Sequence, residues 1–302
     1  MTDRSLLIAI LAILAWSSAG LAAEAVDADA LRRSAMQAPD LMFPAAPSPL
    51  SETTRPGMGI FKPDGPGPFP ALVLFHQCAG LGQNGKRPNA SMIDWARKAV
   101  ARGYVALLID AMGPRDIDTV CYGPRNGLVF ARGVKDAFQA ADHLRRLDYV
   151  DRDRVALAGY SWGAMVGLLA SSKGWSEVLG DGRRFRAVVS MYPGCFTLRP
   201  PRSPAYETAR DDIDRPLLVL MGELDTETPP ADCLARLEPL RSAGAPVELH
   251  LYPDATHCWD CRQLDGHSRT DVRGNRVDYR YNEEATRDAE ERMFEFLGRV
   301  MK

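Results

Sequence analysis

The chain lacks an excess of charge of either sign: 37 Lys and Arg stand against 39 Asp and Glu, a formal net charge of -2 in 302 residues. Without a basic field to meet a phosphate backbone, a nucleic-acid partner is not expected. Internal repeats and long low-complexity segments are also missing, which argues against solenoids and extended disordered tails. Long apolar runs are scarce. The most conspicuous, residues 6–16 (LLIAILAILAW), is shorter than the ~20 residues a membrane-spanning helix needs.

That run follows Arg4 and precedes the small residues of SSAGLAAEA, an order typical of a secretory leader with cleavage after Ala22, Ala23 or Ala25. Residues 1–23 are therefore expected to be a signal peptide. The mature chain would be exported, to the periplasm or beyond, with no stable membrane span. All six cysteines (Cys78, Cys121, Cys195, Cys233, Cys258 and Cys261) lie beyond the leader, and an even number in an exported chain fits disulfides. Fifteen full pairings are open to them. Cys78 and Cys121 each follow a strand-like run, and the two strands should be neighbours, so a Cys78–Cys121 bond is expected.

What is present is a composition for a large core, 46% hydrophobic and 25% charged. Residues 24–56 read as a Pro-rich N-terminal arm, with a short helix over 28–36 and an extended part over 39–56. From residue 57 to 302 apolar strand-like runs alternate with amphipathic segments. The runs are at 71–75, 104–110, 154–160, 186–192, 216–222 and 247–252. Helices are expected at 92–102, 128–147, 164–172, 230–243 and 283–300. Continuous apolar strands linked by helices predict an α/β fold, a mostly parallel central sheet covered by helices on both faces. In such sheets ligands bind at the carboxyl ends of the strands.

Three of those ends carry chemistry. GYSWG (residues 159–163) joins a strand to a helix, and its glycines would allow Ser161 to occupy a strained turn with its hydroxyl exposed above the sheet. Asp225 follows the run at 216–222, with Glu223, Glu227 and Asp232 as rivals. His257 follows the run at 247–252 by a short turn; of the other histidines, His143 and His250 fall inside a helix and a strand. A serine hydroxyl needs a base to become a nucleophile, and the base needs an acid to orient it. The order Ser161, Asp225, His257 supplies all three. The loop after residue 75, HQCAGL, can aim backbone N–H groups at a developing oxyanion, with the N–H of Trp162 as second donor. A competing reading takes His257, Cys258, Cys261 and His267 as zinc ligands, two thiolates at C-x-x-C spacing with histidines.

The segments HQCAGL, GYVALLIDAMGPR, GYSWGA, GELDTETP, PDATHCW and YNEEATRDAEERMFEFL resemble the α/β-hydrolase superfamily, and within it the dienelactone hydrolase family, from about residue 57 onward. The resemblance implies one hydrolase domain with Ser161 as nucleophile, Asp225 as acid, His257 as base, and oxyanion donors on the backbone of Trp162 and of Cys78 or Gln77. It also places Arg115 and Arg262 near the positions that hold a substrate carboxylate. The family typically has a cysteine nucleophile, a Glu where Gln77 falls, and a cytoplasmic location. The expected activity is cleavage of small-molecule carboxylic esters or lactones without a cofactor. Peptide cleavage, acyl transfer to another alcohol, or binding without turnover are the alternatives on the same fold.

Overall fold

The computed structural model describes residues 26–82, 88–201 and 204–302; the expected leader lies outside the described residues. In chain order, helix α1 (Ala28–Ala35) precedes strands β1 (Gly59–Phe61) and β2 (Phe69–Phe75), then α2 (Ala90–Ala101), β3 (Val105–Leu108), α3 (Phe130–Leu144), β4 (Val150–Tyr160), α4 (Trp162–Ser171), α5 (Lys173–Leu179) and β5 (Val188–Met191). There follow β6 (Thr197–Leu198), β7 (Tyr206–Glu207), β8 (Leu217–Gly222), α6 (Pro230–Ser242), β9 (Val247–Tyr252), β10 (Ser268–Thr270), β11 (Arg276–Asp278) and α7 (Glu283–Val300).

Seven strands form the central sheet in the order β1-β3-β2-β4-β5-β8-β9. Every neighbouring pair is parallel except the edge pair β1–β3. Parallel strands need crossover helices, which cover both faces, so a central strand must be apolar at every position rather than at alternate ones. The ALVLF run meets that demand. Ala71, Val73 and Phe75 pack into the layer with α1 and α3 to α6, whereas Leu72 and Leu74 pack into the layer with α2 and α7. In β4, Val155 and Leu157 face the first layer and Ala156, Ala158 and Tyr160 the second.

Several elements depart from the sequence expectation, the short strands β6, β7, β10 and β11 of the two small sheets among them. Strand β1 has only three residues at the sheet edge, too few to display a period. Helix α5 begins where the Ser172 side chain accepts the Trp175 N–H, a cap that breaks what looked like one helix end. The expected Cys78–Cys121 bond is present, together with Cys195–Cys233 and Cys258–Cys261. The first closes a separation of 43 residues, worth about 4 kcal/mol in the chain-entropy account. Among the described residues no helix is long and apolar enough to cross a membrane. The parallel order brings the loops after β2, β4, β8 and β9 to one edge of the sheet.

Candidate active site

Ser161 joins β4 to α4 at φ 52°, ψ -111°, a conformation that costs a side-chain-bearing residue strain. Its N–H donates to the Met191 carbonyl at 2.9 Å, tying the turn to β5. The flanking glycines are required by close approach. A Cβ on Gly159 would lie 2.0 Å from the Gly163 carbonyl oxygen, and one on Gly163 would lie 2.3 Å from that of Phe75. The serine thereby caps α4, whose first N–H, that of Trp162, has no intrahelical acceptor.

His257 Nε2 lies 2.9 Å from Ser161 Oγ, and its Nδ1 lies 2.7 Å from Asp225 Oδ2. All three side chains are buried. Because Nδ1 donates to a carboxylate, Nε2 of the neutral ring is left as an acceptor for the serine hydroxyl. The acid is itself held. Asp225 Oδ1 accepts the N–H groups of Glu227 at 2.9 Å and Thr228 at 2.8 Å, and Oδ2 accepts the Thr228 hydroxyl at 2.7 Å. Of the rival acids, Glu223 is exposed and Asp232 lies in the first turn of α6.

Glu227 plays a part that sequence spacing did not reveal. Its Oε2 sits 3.9 Å from His257 Nε2, on the serine side of the ring, opposite Asp225. Tyr279 donates its hydroxyl to Glu227 Oε2 at 2.6 Å, and the Arg269 guanidinium pairs with Oε1. Burial and the neighbouring Glu227 push the Tyr279 phenol up, which keeps it a neutral donor. Burial alone would lower the imidazole pKa, but the charges of Asp225 and Glu227 outweigh it and push His257 up to about 9. Arg269 lies in β10 and Tyr279 directly follows β11, far along the chain, so no local pattern announced them.

The loop after β2 forms the other side. Burial holds the His76 pKa below its ordinary value. The ring accepts the Ala111 N–H on Nε2 at 3.1 Å, which leaves Nδ1 to donate to the Gln77 carbonyl at 2.8 Å and fixes the loop. Gln77 points its side chain into a buried network, donating to Tyr192 Oη at 3.2 Å and accepting from Asn89 at 2.6 Å. Tyr192 and Trp95 in turn donate to the Asp260 carboxylate at 2.8 and 2.7 Å. Ser161, Trp162 and Cys78 line a common cleft of about 1160 Å³, and Gln77 does not.

The two arginines expected to contact substrate do not line that cleft. Arg115 is buried and grips Asp136 with both terminal nitrogens, at 2.7 and 2.8 Å, and also donates to the Ala111 and Pro39 carbonyls. Arg262 lies at the surface over the Tyr281 ring, 4.0 Å from its centroid. Nor does the zinc reading find its ligands. Cys258, Asp260 and Cys261 do cluster, but the two sulfurs are bonded to each other and are not thiolates. His257 has both nitrogens committed to Asp225 and Ser161, and His267 stacks on Tyr279.

Residues 58–301 match the family model described as the dienelactone hydrolase family. A Yersinia pestis protein named "Putative carboxymethylenebutenolidase" is 25% identical over 265 residues, covering 82% of this chain and 86% of that one. Among solved structures, Thermogutta terrifontis esterase 2 superposes with a TM-score of 0.58 at 17% identity, covering 80% of this chain and 89% of the other. The α/β hydrolase MGS-M1 from a Medee basin deep-sea metagenome superposes at 0.55 and 19% identity, covering 85% and 97%. The sheet order, the serine elbow and the family match lead to one conclusion: this chain belongs to the dienelactone hydrolase family, of α/β-hydrolase fold, and is a hydrolase acting on ester bonds.

Proposed function

We propose that the chain is a serine esterase working through a covalent acyl-enzyme. The observation that carries this reading is the unbroken hydrogen-bond chain from Ser161 Oγ through His257 to Asp225. Ser161 Oγ attacks the ester carbonyl while its proton passes to His257 Nε2. The oxyanion rests on the N–H groups of Trp162 and Cys78, each such donor contributing about 3 kcal/mol to acyl transfer. His257 then gives the proton to the departing alkoxide, and the alcohol leaves. A water molecule, deprotonated by the same imidazole, attacks the acyl-enzyme, and the acid departs as Ser161 regains its proton. Asp225 and Thr228 keep the ring oriented throughout.

Simple carboxylic esters suit the site better than a dienelactone, because Arg115 is consumed by Asp136 and Arg262 lies on the surface. Export is part of the proposal. The leader-like start of the chain and the pairing of all six cysteines in disulfides support it. The test is hydrolysis of p-nitrophenyl esters by the mature protein beside Ser161→Ala, with and without a chelator. Turnover lost in the variant and indifferent to chelator is the expected result. A folded protein that neither turns over any ester nor is labelled by a fluorophosphonate probe would overturn the reading.

A further inference from the structure

The family match begins at residue 58, yet part of the cleft is built by residues before it. Ala30, Arg33 and Ser34 of α1, and Gln37 after it, line the same cavity as Ser161 and Trp162. This wall is held in place by buried groups. Leu31 and Ala35 sink their side chains into the core layer shared with α3 and α5. Arg132, fully buried, donates to the Ala35 carbonyl at 3.1 Å, the Ala38 carbonyl at 3.3 Å and the Asp40 carboxylate at 2.7 Å. Arg115 holds the Pro39 carbonyl, and both arginines share the Asp136 carboxylate between them. Main chain approaches main chain here as well: a Cβ on Gly127 would fall 2.1 Å from the Gln37 carbonyl oxygen.

Phe196, Leu198, Pro200 and Tyr206, in and around strands β6 and β7, line the same cleft together with Phe130 and Met165. The lining mixes these apolar side chains with Arg33, Ser34 and Gln37 on the α1 side and with Arg199, Arg269 and Arg273, and the volume of about 1160 Å³ exceeds the ~300–1,000 Å³ of ordinary small-ligand sites. A compact lactone would leave most of it empty. A second cavity of about 70 Å³ shares Ala30, Ser34, Pro200 and Tyr206 with the cleft and reaches Leu31 and Trp175 beneath α1.

We propose that α1 is a specificity wall of this enzyme, and that the substrate is an ester bearing a medium-length apolar group, which lies between Ala30 and Tyr206 toward the small cavity that both also line. This deepens the esterase reading and rests on it for turnover. Each methylene moved from water to the wall raises kcat/KM by up to about fourfold.

The experiment compares p-nitrophenyl acetate with p-nitrophenyl octanoate on the full chain, on Ala30→Trp and Ser34→Trp, and on Arg32→Ala, which changes an exposed residue of α1 outside the cavity lining. Expected are a preference of at least tenfold for octanoate in the wild type, loss of that preference in both Trp variants, and no change in Arg32→Ala. Binding of the octanoate ester to Ser161→Ala, read by tryptophan fluorescence with and without Ala30→Trp, supplies a readout that needs no turnover. Esters hydrolysed with neither preference nor binding dependent on the Trp substitutions would overturn the wall and leave the esterase standing. Octanoate bound in an Ala30-dependent way without any hydrolysis would sustain the wall and remove the esterase.

Discussion

Replacing Glu227 by Gln removes one negative charge 3.9 Å from His257 Nε2 while keeping the side-chain shape. A unit charge at that distance is worth about 4 kcal/mol at an effective dielectric of ~20 and about 1 kcal/mol in a water-like medium. The Arg269 guanidinium, paired with the same carboxylate, cancels part of it. A net effect of about 1–2 kcal/mol remains, or roughly one pH unit on the imidazole. In the wild type His257 stands at about 9, so the free enzyme holds a proton on its base at neutral pH and kcat/KM should climb with pH toward that value. In Glu227→Gln the climb should move about one unit toward acid. Its alkaline plateau should fall, because the imidazolium formed in the transition state loses a stabilising charge. The assay is a kcat/KM profile with a p-nitrophenyl ester from pH 5 to 10. An unmoved midpoint with a lowered plateau would refute the electrostatic argument and make Glu227 a structural or substrate contact.

The same imidazole should make stability and activity run in opposite directions. Its pKa in the folded state lies above the 6.5 of a free imidazole, so its contribution is complete below about pH 6.5, declines as pH rises toward about 9, and is lost beyond. The amount at stake is on the order of 3 kcal/mol, visible as a melting temperature that falls across that window in the wild type and less steeply in His257→Gln. Asp136→Ala leaves Arg115 and Arg132 buried without their shared carboxylate and should cost about 3–5 kcal/mol in urea denaturation, with protease cleavage of the N-terminal arm appearing first. Cys78→Ser with Cys121→Ser opens a loop spanning 43 residues and should lower stability by about 4 kcal/mol. The midpoint of denaturant unfolding reads that loss directly.

Much of the fold was legible because its signals are local. The apolar runs at 71–75, 154–160 and 216–222 had to be buried on both faces, and only a helix-covered parallel sheet does that. Ser161, Asp225 and His257 could be picked out in the same way, each following a strand by a few residues, so that parallel order alone carries them to one edge. The sequence also determined that Gly159 and Gly163 flank the elbow, since no side chain fits where three backbones meet. What chain spacing could not decide is which distant groups complete the site. Glu227 faces the serine side of the imidazole because Arg269 and Tyr279, more than forty residues away, fold back to hold it there. Arg115 sits close in sequence to where a substrate contact was expected, yet Asp136 on α3 captures it and turns it to the N-terminal arm. Helix α1 becomes a wall of the cleft through the same buried cluster. A buried charge takes the partner that tertiary packing brings within about 3 Å, and sequence separation does not say which partner that will be.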